Sequence, residues 1–238
     1  MRRFFCSFVL FFSVLLLISL CSCNNNLSNS NGQNVKYNHT VCTKNNIDEF
    51  LTIAENMEGD GLFKGINISS DNLYNVTPAE ISTQTDYKIF KTSDSCASFI
   101  LIDGEIHLLC AYFGGYGFVN AVPCDFDEDG ITDLIVASSW GSGMHRSVIS
   151  IFNAKTKEYT ILYDTSDTET PDADLVVMAQ TPSFSSKDHT ELPIYYNVYS
   201  VEIIVMDGNL ADLYYLPADV IGSVICEKGE VIFKPTDK

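Results

Sequence analysis

Apolar and polar positions divide this chain into stretches of different character. Residues 4–20 form an uncharged apolar run, whereas residues 23–34, C-N-N-N-L-S-N-S-N-G-Q-N, hold almost nothing that could be buried. Ile47, Phe50, Leu51, Ala54 and Met57 then recur on one helical face, with Asn46 placed as N-cap, Glu49 as the other half of a capping box and Gly59 as the stop. A second, shorter helix start is read at Thr77-Pro78-Ala79-Glu80. From about residue 87 the period shortens to that of strands. Residues 98–102 and 105–109 flank Asp103-Gly104, a strong hairpin dipeptide, and Asp207-Gly208 stands between residues 201–206 and 210–216 in the same way. Residues 147–153 and 159–163 pair around Lys155-Thr156-Lys157, and residues 220–226 and 231–233 around Gly229.

Short strands joined by short links predict a mainly β fold: an antiparallel meander of propeller-blade-like sheets, or alternatively a two-layer β-sandwich, with a short helical N-terminal portion. About 150 residues of strand character would make three or four blades at ~40–45 residues each, too few for a closed ring. The boundaries expected are 1–22 for a targeting segment, 23–40 for a flexible tether, 41–85 for the helical portion and 86–238 for the β-rich domain.

Nine consecutive residues, 125–133, read D-F-D-E-D-G-I-T-D. Asp125, Asp127, Asp129 and Asp133 would repel one another unless a cation sat between them. Ca²⁺ takes six to eight oxygens at about 2.3–2.6 Å, which alternate side chains of a tight turn can supply, with the Ile131 carbonyl as a backbone ligand and Gly130 at the sharp bend. An EF-hand would need a bidentate Glu at the twelfth position, where this chain has Val136. The loop instead feeds the β-branched run Thr132-Asp133-Leu134-Ile135-Val136. This pattern, with Gly117-Phe118 before it, resembles a single FG-GAP or VCBS repeat of integrin-like β-propellers. That resemblance implies a structural Ca²⁺ between two strands of a blade, held by Asp125, Asp127, Asp129, Ile131 and Asp133. The sequence departs from the family where Ala137-Ser138-Ser139 replaces the usual Gly-Ala-Pro.

The N-terminus has the layout of an export signal: Arg2 and Arg3, the apolar run, then Leu20-Cys21-Ser22-Cys23. That ending resembles a bacterial lipobox, which implies cleavage before Cys23, acylation of that residue and a body held on the outer face of a membrane in the cell envelope. An uncleaved transmembrane anchor is the alternative, although the run is short of the ~20 residues needed to span. The formal charge of −17 argues against nucleic-acid binding, which needs clustered Lys and Arg, and leaves acyl chains as the membrane contact. Cys42, Cys96, Cys110, Cys124 and Cys226 follow Cys23; one disulfide can form among them and spacing does not assign it.

Two further features carry candidate chemistry. Trp140, His145 and Arg146 lie around a Gly-rich turn and could present a stacking platform, a titrating group and a forked donor to a carbohydrate or protein ligand. Their alternative role is ordinary hairpin packing. Tyr195, Tyr196, Tyr199, Tyr214 and Tyr215 suit either a sugar-stacking surface or half-buried strands, and Asp164, Asp167, Glu169, Asp172 and Asp174 read as a solvated acidic loop. No catalytic constellation is visible in the spacing. The expectation is a lipid-anchored, non-enzymatic binding module stabilised by Ca²⁺. A secreted hydrolase using His145 and carboxylates near the loop, and a structural envelope lipoprotein, are the alternatives.

Overall fold

A computed structural model describes residues 26–28, 34–36, 38–57, 61–110, 113–142, 145–167, 173–179, 194–227 and 230–236. The expected targeting segment, Cys23 and half of the tether lie outside these residues. Among the described residues no helix is long and apolar enough to cross a membrane. The chain divides into two units, Met1–Tyr37 and Asn38–Lys238. Of the first, β1 (Asn26–Ser28) and β2 (Asn34–Lys36) pair antiparallel.

The second unit is mainly β. Its first strand, β3 (Asn38–His39), precedes α1 (Ile47–Asn56). Four strands come next: β4 (Leu73–Asn75), β5 (Lys88–Thr92), β6 (Ser98–Ile102) and β7 (Glu105–Leu108), with the one-turn α2 (Ala79–Ser82) between β4 and β5. They form one antiparallel sheet in chain order. A second sheet is built in the same way from β8 (Gly117–Cys124), β9 (Asp133–Trp140), β10 (Arg146–Asn153) and β11 (Glu158–Asp164). The third contains β12 (Asp174–Ala179), β13 (Ile194–Val205), β14 (Leu213–Glu227) and β15 (Glu230–Pro235), and β3 joins it beside β14. The first two sheets are thus four-stranded up-and-down meanders, and the third is such a meander widened to five strands by β3.

Side-chain alternation explains how the sheets stack. Leu134, Val136 and Phe152 of the middle sheet share a core with Ile89, Ile100 and Ile102 of the first. The intervening residues Ile135, Ala137, Ile149 and Ile151 share another with Leu175, Val177, Val198 and Val224 of the third. The middle sheet is therefore apolar on both faces, which is why β9 reads as a continuous Leu-Ile-Val-Ala run. On the outer face of the first sheet, α1 inserts Ile47 and Phe50 among Leu73, Phe90, Phe99 and Ile106.

Asp103 (φ 53°) and Gly104 (φ 78°) both take left-handed conformations, as a tight two-residue hairpin requires. A register shift in β8 between Phe118 and Asn120 frees the Asn120 side chain to act as a surrogate strand. Its amide donates to Val177 O at 2.7 Å and accepts from Val177 N at 3.1 Å, tying β8 to the edge of β12.

The expected helix caps are corrected. Asn46 sits in the left-handed region (φ 64°) and its side chain makes no capping bond, so the capping box does not form. Thr77 does not cap α2 either. Its hydroxyl accepts the Ile89 N–H at 2.8 Å and contacts Asn75 at 2.6 Å, fastening β4 to β5. The stretches 210–216 and 220–226, expected as two strands, meet in one, β14, which starts at Leu213 and runs through both.

Candidate metal centre

The acidic turn occupies the link between β8 and β9, whose ends are held opposite each other by the Cys124–Asp133 pair. Glu128 (φ 59°) and Gly130 (φ 81°) fold it back on itself. The Asp125 carboxylate accepts the N–H groups of Asp129 at 3.1 Å and Gly130 at 3.0 Å, so the first carboxylate also shapes the loop. Asp125, Asp127 and Asp133 come together in this turn. One oxygen from each lies within 4.8 Å of the others. That span is the widest two ligands can have across an ion at about 2.4 Å, within the Ca²⁺–oxygen range.

Asp133 opens β9 and is only 1% exposed. Its Oδ1 accepts the Ala154 N–H at 2.7 Å, while its Oδ2 is buried without a hydrogen-bond partner. The Oδ1 atom of Asp127 is likewise buried and unpartnered. Two orphaned carboxylate oxygens beside a third carboxylate are costly, because a buried charged atom without a partner loses its hydration. Burial pushes the Asp133 carboxyl above the ordinary carboxylate range, and Asp127 and Asp129 push the same way against the hydrogen bond from Ala154. An all-oxygen donor set of this kind suits a hard divalent cation.

Asp129 stands outside the trio. It accepts the Ile131 N–H at 2.9 Å and pairs with Lys155 at 3.1 Å, and those two contacts hold its carboxyl below the ordinary range. Lys155 is 63% exposed, so the pair is weak and a divalent ion could displace it. The Ile131 side chain is exposed. The structure thus brings together three of the four expected carboxylates and leaves the fourth on a surface lysine.

Trp140, His145 and Arg146 lie at the far end of β9, about 23 Å from the turn at ~3.3 Å per residue. Arg146 faces Trp140 across the strand pair, with its guanidinium carbon 5.4 Å from the ring centroid. The His145 ring meets Tyr116 edge-on at 4.7 Å. A hydrolytic centre made of His145 and the loop carboxylates has no support from this spacing. Two cavities are lined by other residues. One of about 1060 Å³ is bounded by Ile53, Met57, His107 and Tyr159. The other, about 640 Å³, is bounded by Thr40, Glu80, Asn120, Val177 and Tyr215.

Asp174, expected in a solvated acidic loop, is a carboxylate within electrostatic reach of His145. It opens β12, with Oδ1 buried and unpartnered. Burial pushes its carboxyl up to about 6, opposed by His145 and by a hydrogen bond from Ser139. Only the return of β12 against the middle sheet reveals it. Glu169 and Asp172 lie outside the described residues. The tyrosines divide too: Tyr214 stacks on His39 at 4.1 Å, while Tyr196 bonds Pro123 O at 3.1 Å.

No family model, curated protein or solved structure matches the chain.

Proposed function

We propose that this protein is a lipid-anchored extracytoplasmic binding module whose blade-like middle sheet is locked by one Ca²⁺ at Asp125, Asp127 and Asp133. The observation that carries the metal reading is the pair of buried, unpartnered oxygens, Asp127 Oδ1 and Asp133 Oδ2, on two carboxylates that cluster with Asp125. Asp129 and the Ile131 carbonyl are the additional donors within the same turn. The ion would neutralise charge that the fold otherwise leaves uncompensated. It would also fasten three strands: Asp133 is already bonded to Ala154, and Asp127 contacts Asn153 at 3.4 Å, both where β10 begins its turn into β11.

The role is structural because the trio lies at the opposite end of β9 from His145. Ligand recognition is assigned instead to the Trp140–Arg146 face, where a ring and a guanidinium together suit a carbohydrate or an acidic protein surface. Anchoring rests on Cys23 and its lipobox-like setting. The test is calorimetric titration of the chelator-stripped protein with CaCl₂. One stoichiometric site is expected in the parent and none in Asp133→Asn. A parent that takes up no Ca²⁺ at millimolar concentration removes the proposal.

A further inference from the structure

We infer that Cys124 and Cys226 are a disulfide-forming pair that staples the middle sheet to the third sheet next to the acidic turn. The two side chains lie in one apolar cluster, with Cys124 buried in it and Cys226 packed against it as a free thiol. They meet because the strands that carry them pack face to face. Val122 and Cys124 of β8 share a core with Val224 and Cys226 of β14. Tyr196 closes the arrangement independently: it pairs with Val224 across β13 and β14, and its hydroxyl donates to the carbonyl of Pro123, the residue before Cys124. One hydrogen bond thus holds both strand ends in the relation the bridge needs.

The other cysteines of the described residues are Cys42, Cys96 and Cys110. Cys96 and Cys110 are buried beside Lys91, and burial pushes the Cys110 thiol up to about 12 and the half-buried Cys42 thiol up to about 11. Cys226 is partly exposed and Cys124 is buried, a division that suits an entering and a resolving sulfur.

The oxidant is a disulfide of another molecule. The Cys226 thiolate attacks one sulfur of that disulfide, forming a mixed disulfide and releasing one thiolate. The Cys124 thiolate then attacks Cys226 Sγ and expels the second. Two electrons pass to the external disulfide, and the two thiol protons go to solvent or to the released thiolates. An oxidising compartment would supply such a partner, and export is the part of the proposed function on which this inference leans. The bridge closes about a hundred residues of chain, where the restriction on the unfolded state is large.

The experiment uses the full chain with oxidised glutathione as the oxidant. Intact mass, alkylation with iodoacetamide and peptide mapping without reductant are then read. The expected result is loss of two hydrogens, a single linked peptide containing Cys124 and Cys226, and alkylation at the remaining cysteines after unfolding. Reduction should lower Tm by at least ~5 °C. Cys226→Ser should abolish the linkage, whereas Cys96→Ser should leave it intact. Full alkylation of both Cys124 and Cys226 after oxidation, or a bridge to Cys42, overturns the inference. Mapping the wild-type protein decides the question even if a variant fails to fold. The readout is also separate from Ca²⁺ uptake, so the two proposals can fail independently.

Discussion

Replacing Asp133 by Asn should change the sign of its effect on stability with the metal. The substitution keeps shape and keeps an oxygen to accept the Ala154 N–H, a 2.7 Å bond in the parent. It removes the charge and places an amide toward the orphaned Asp127 Oδ1. Without metal, the folded state holds the Asp133 carboxyl above its ordinary range. A raised carboxylic acid means the folded protein binds the proton more tightly than the unfolded chain. That contribution to stability is present at low pH and is lost as pH rises through the folded value. In chelator at pH 7 the variant should therefore equal or exceed the parent. With Ca²⁺ the order reverses. Binding to the folded state alone adds RT ln(1 + [L]/Kd), about 2.7 kcal/mol at one hundred times Kd, or roughly 5–10 °C in Tm for a domain of this size. The variant should forgo most of that gain. Scanning calorimetry of both proteins, in chelator and in millimolar CaCl₂, reads all four values. An equal Ca²⁺-induced rise in parent and variant, or no rise in the parent, refutes the assignment of Asp133 as a ligand.

Three further perturbations probe the stacked sheets and the buried charges. Asp174→Asn should stabilise the protein at pH 7, by at most about 3 kcal/mol for a carboxyl raised from 3.8 to about 6, and have no effect below about pH 4; urea midpoints at the two pH values check this. Lys91, fully buried with its ammonium on Phe118 O at 2.9 Å, is pushed down from 10.5 to about 7 by burial. The folded state therefore releases a proton that the unfolded chain keeps, so stability should rise from pH 7 toward 9, and Lys91→Met should flatten that slope. Leu134→Ala and Ile135→Ala should each cost about 2–4 kcal/mol by urea denaturation, because consecutive residues of β9 fill different cores. A cost below about 1 kcal/mol at either position would mean that one face of the middle sheet is not buried.

The range of the forces involved decides which features were legible along the chain and which were not. The Asp103-Gly104 hairpin and the turn between β10 and β11 are set by residues adjacent in sequence, and both occur where expected. The blade-like meander arises from repeating such local units. Asn46 failed as a cap for a different reason. Its backbone takes the left-handed conformation as the chain enters α1 from the segment bridged to β4 through Thr43 and Asn75, so the side chain is not presented to the first turn. Pro217-Ala218-Asp219 looked like a break, yet β14 runs through it because β13 pairs on both sides and absorbs the irregularity as register shifts. Partners remote in sequence overrode a local stop.

The same division runs through the candidate site. The spacing of Asp125, Asp127 and Asp133 was legible because one turn contains all three. The pairing of Asp129 with Lys155 was not, since Lys155 arrives on the next hairpin. Nor was the burial of Asp174, which depends on β12 returning against the middle sheet, or the meeting of Cys124 with Cys226 across two sheets. Each of these non-local contacts has one side in the middle sheet. An ion at the turn and a bridge one residue before Asp125 would act on one end of that sheet, the first closing the β8–β9 link and the second fastening it to β14. Loss of either should therefore loosen that end of β8 before it loosens the first sheet. Amide hydrogen exchange can detect this order: protection at Val122 and Cys124 should fall on Ca²⁺ removal or reduction while that of Phe99 and Ile100 holds. Simultaneous loss of protection in both sheets would show instead that the unit opens only as a whole.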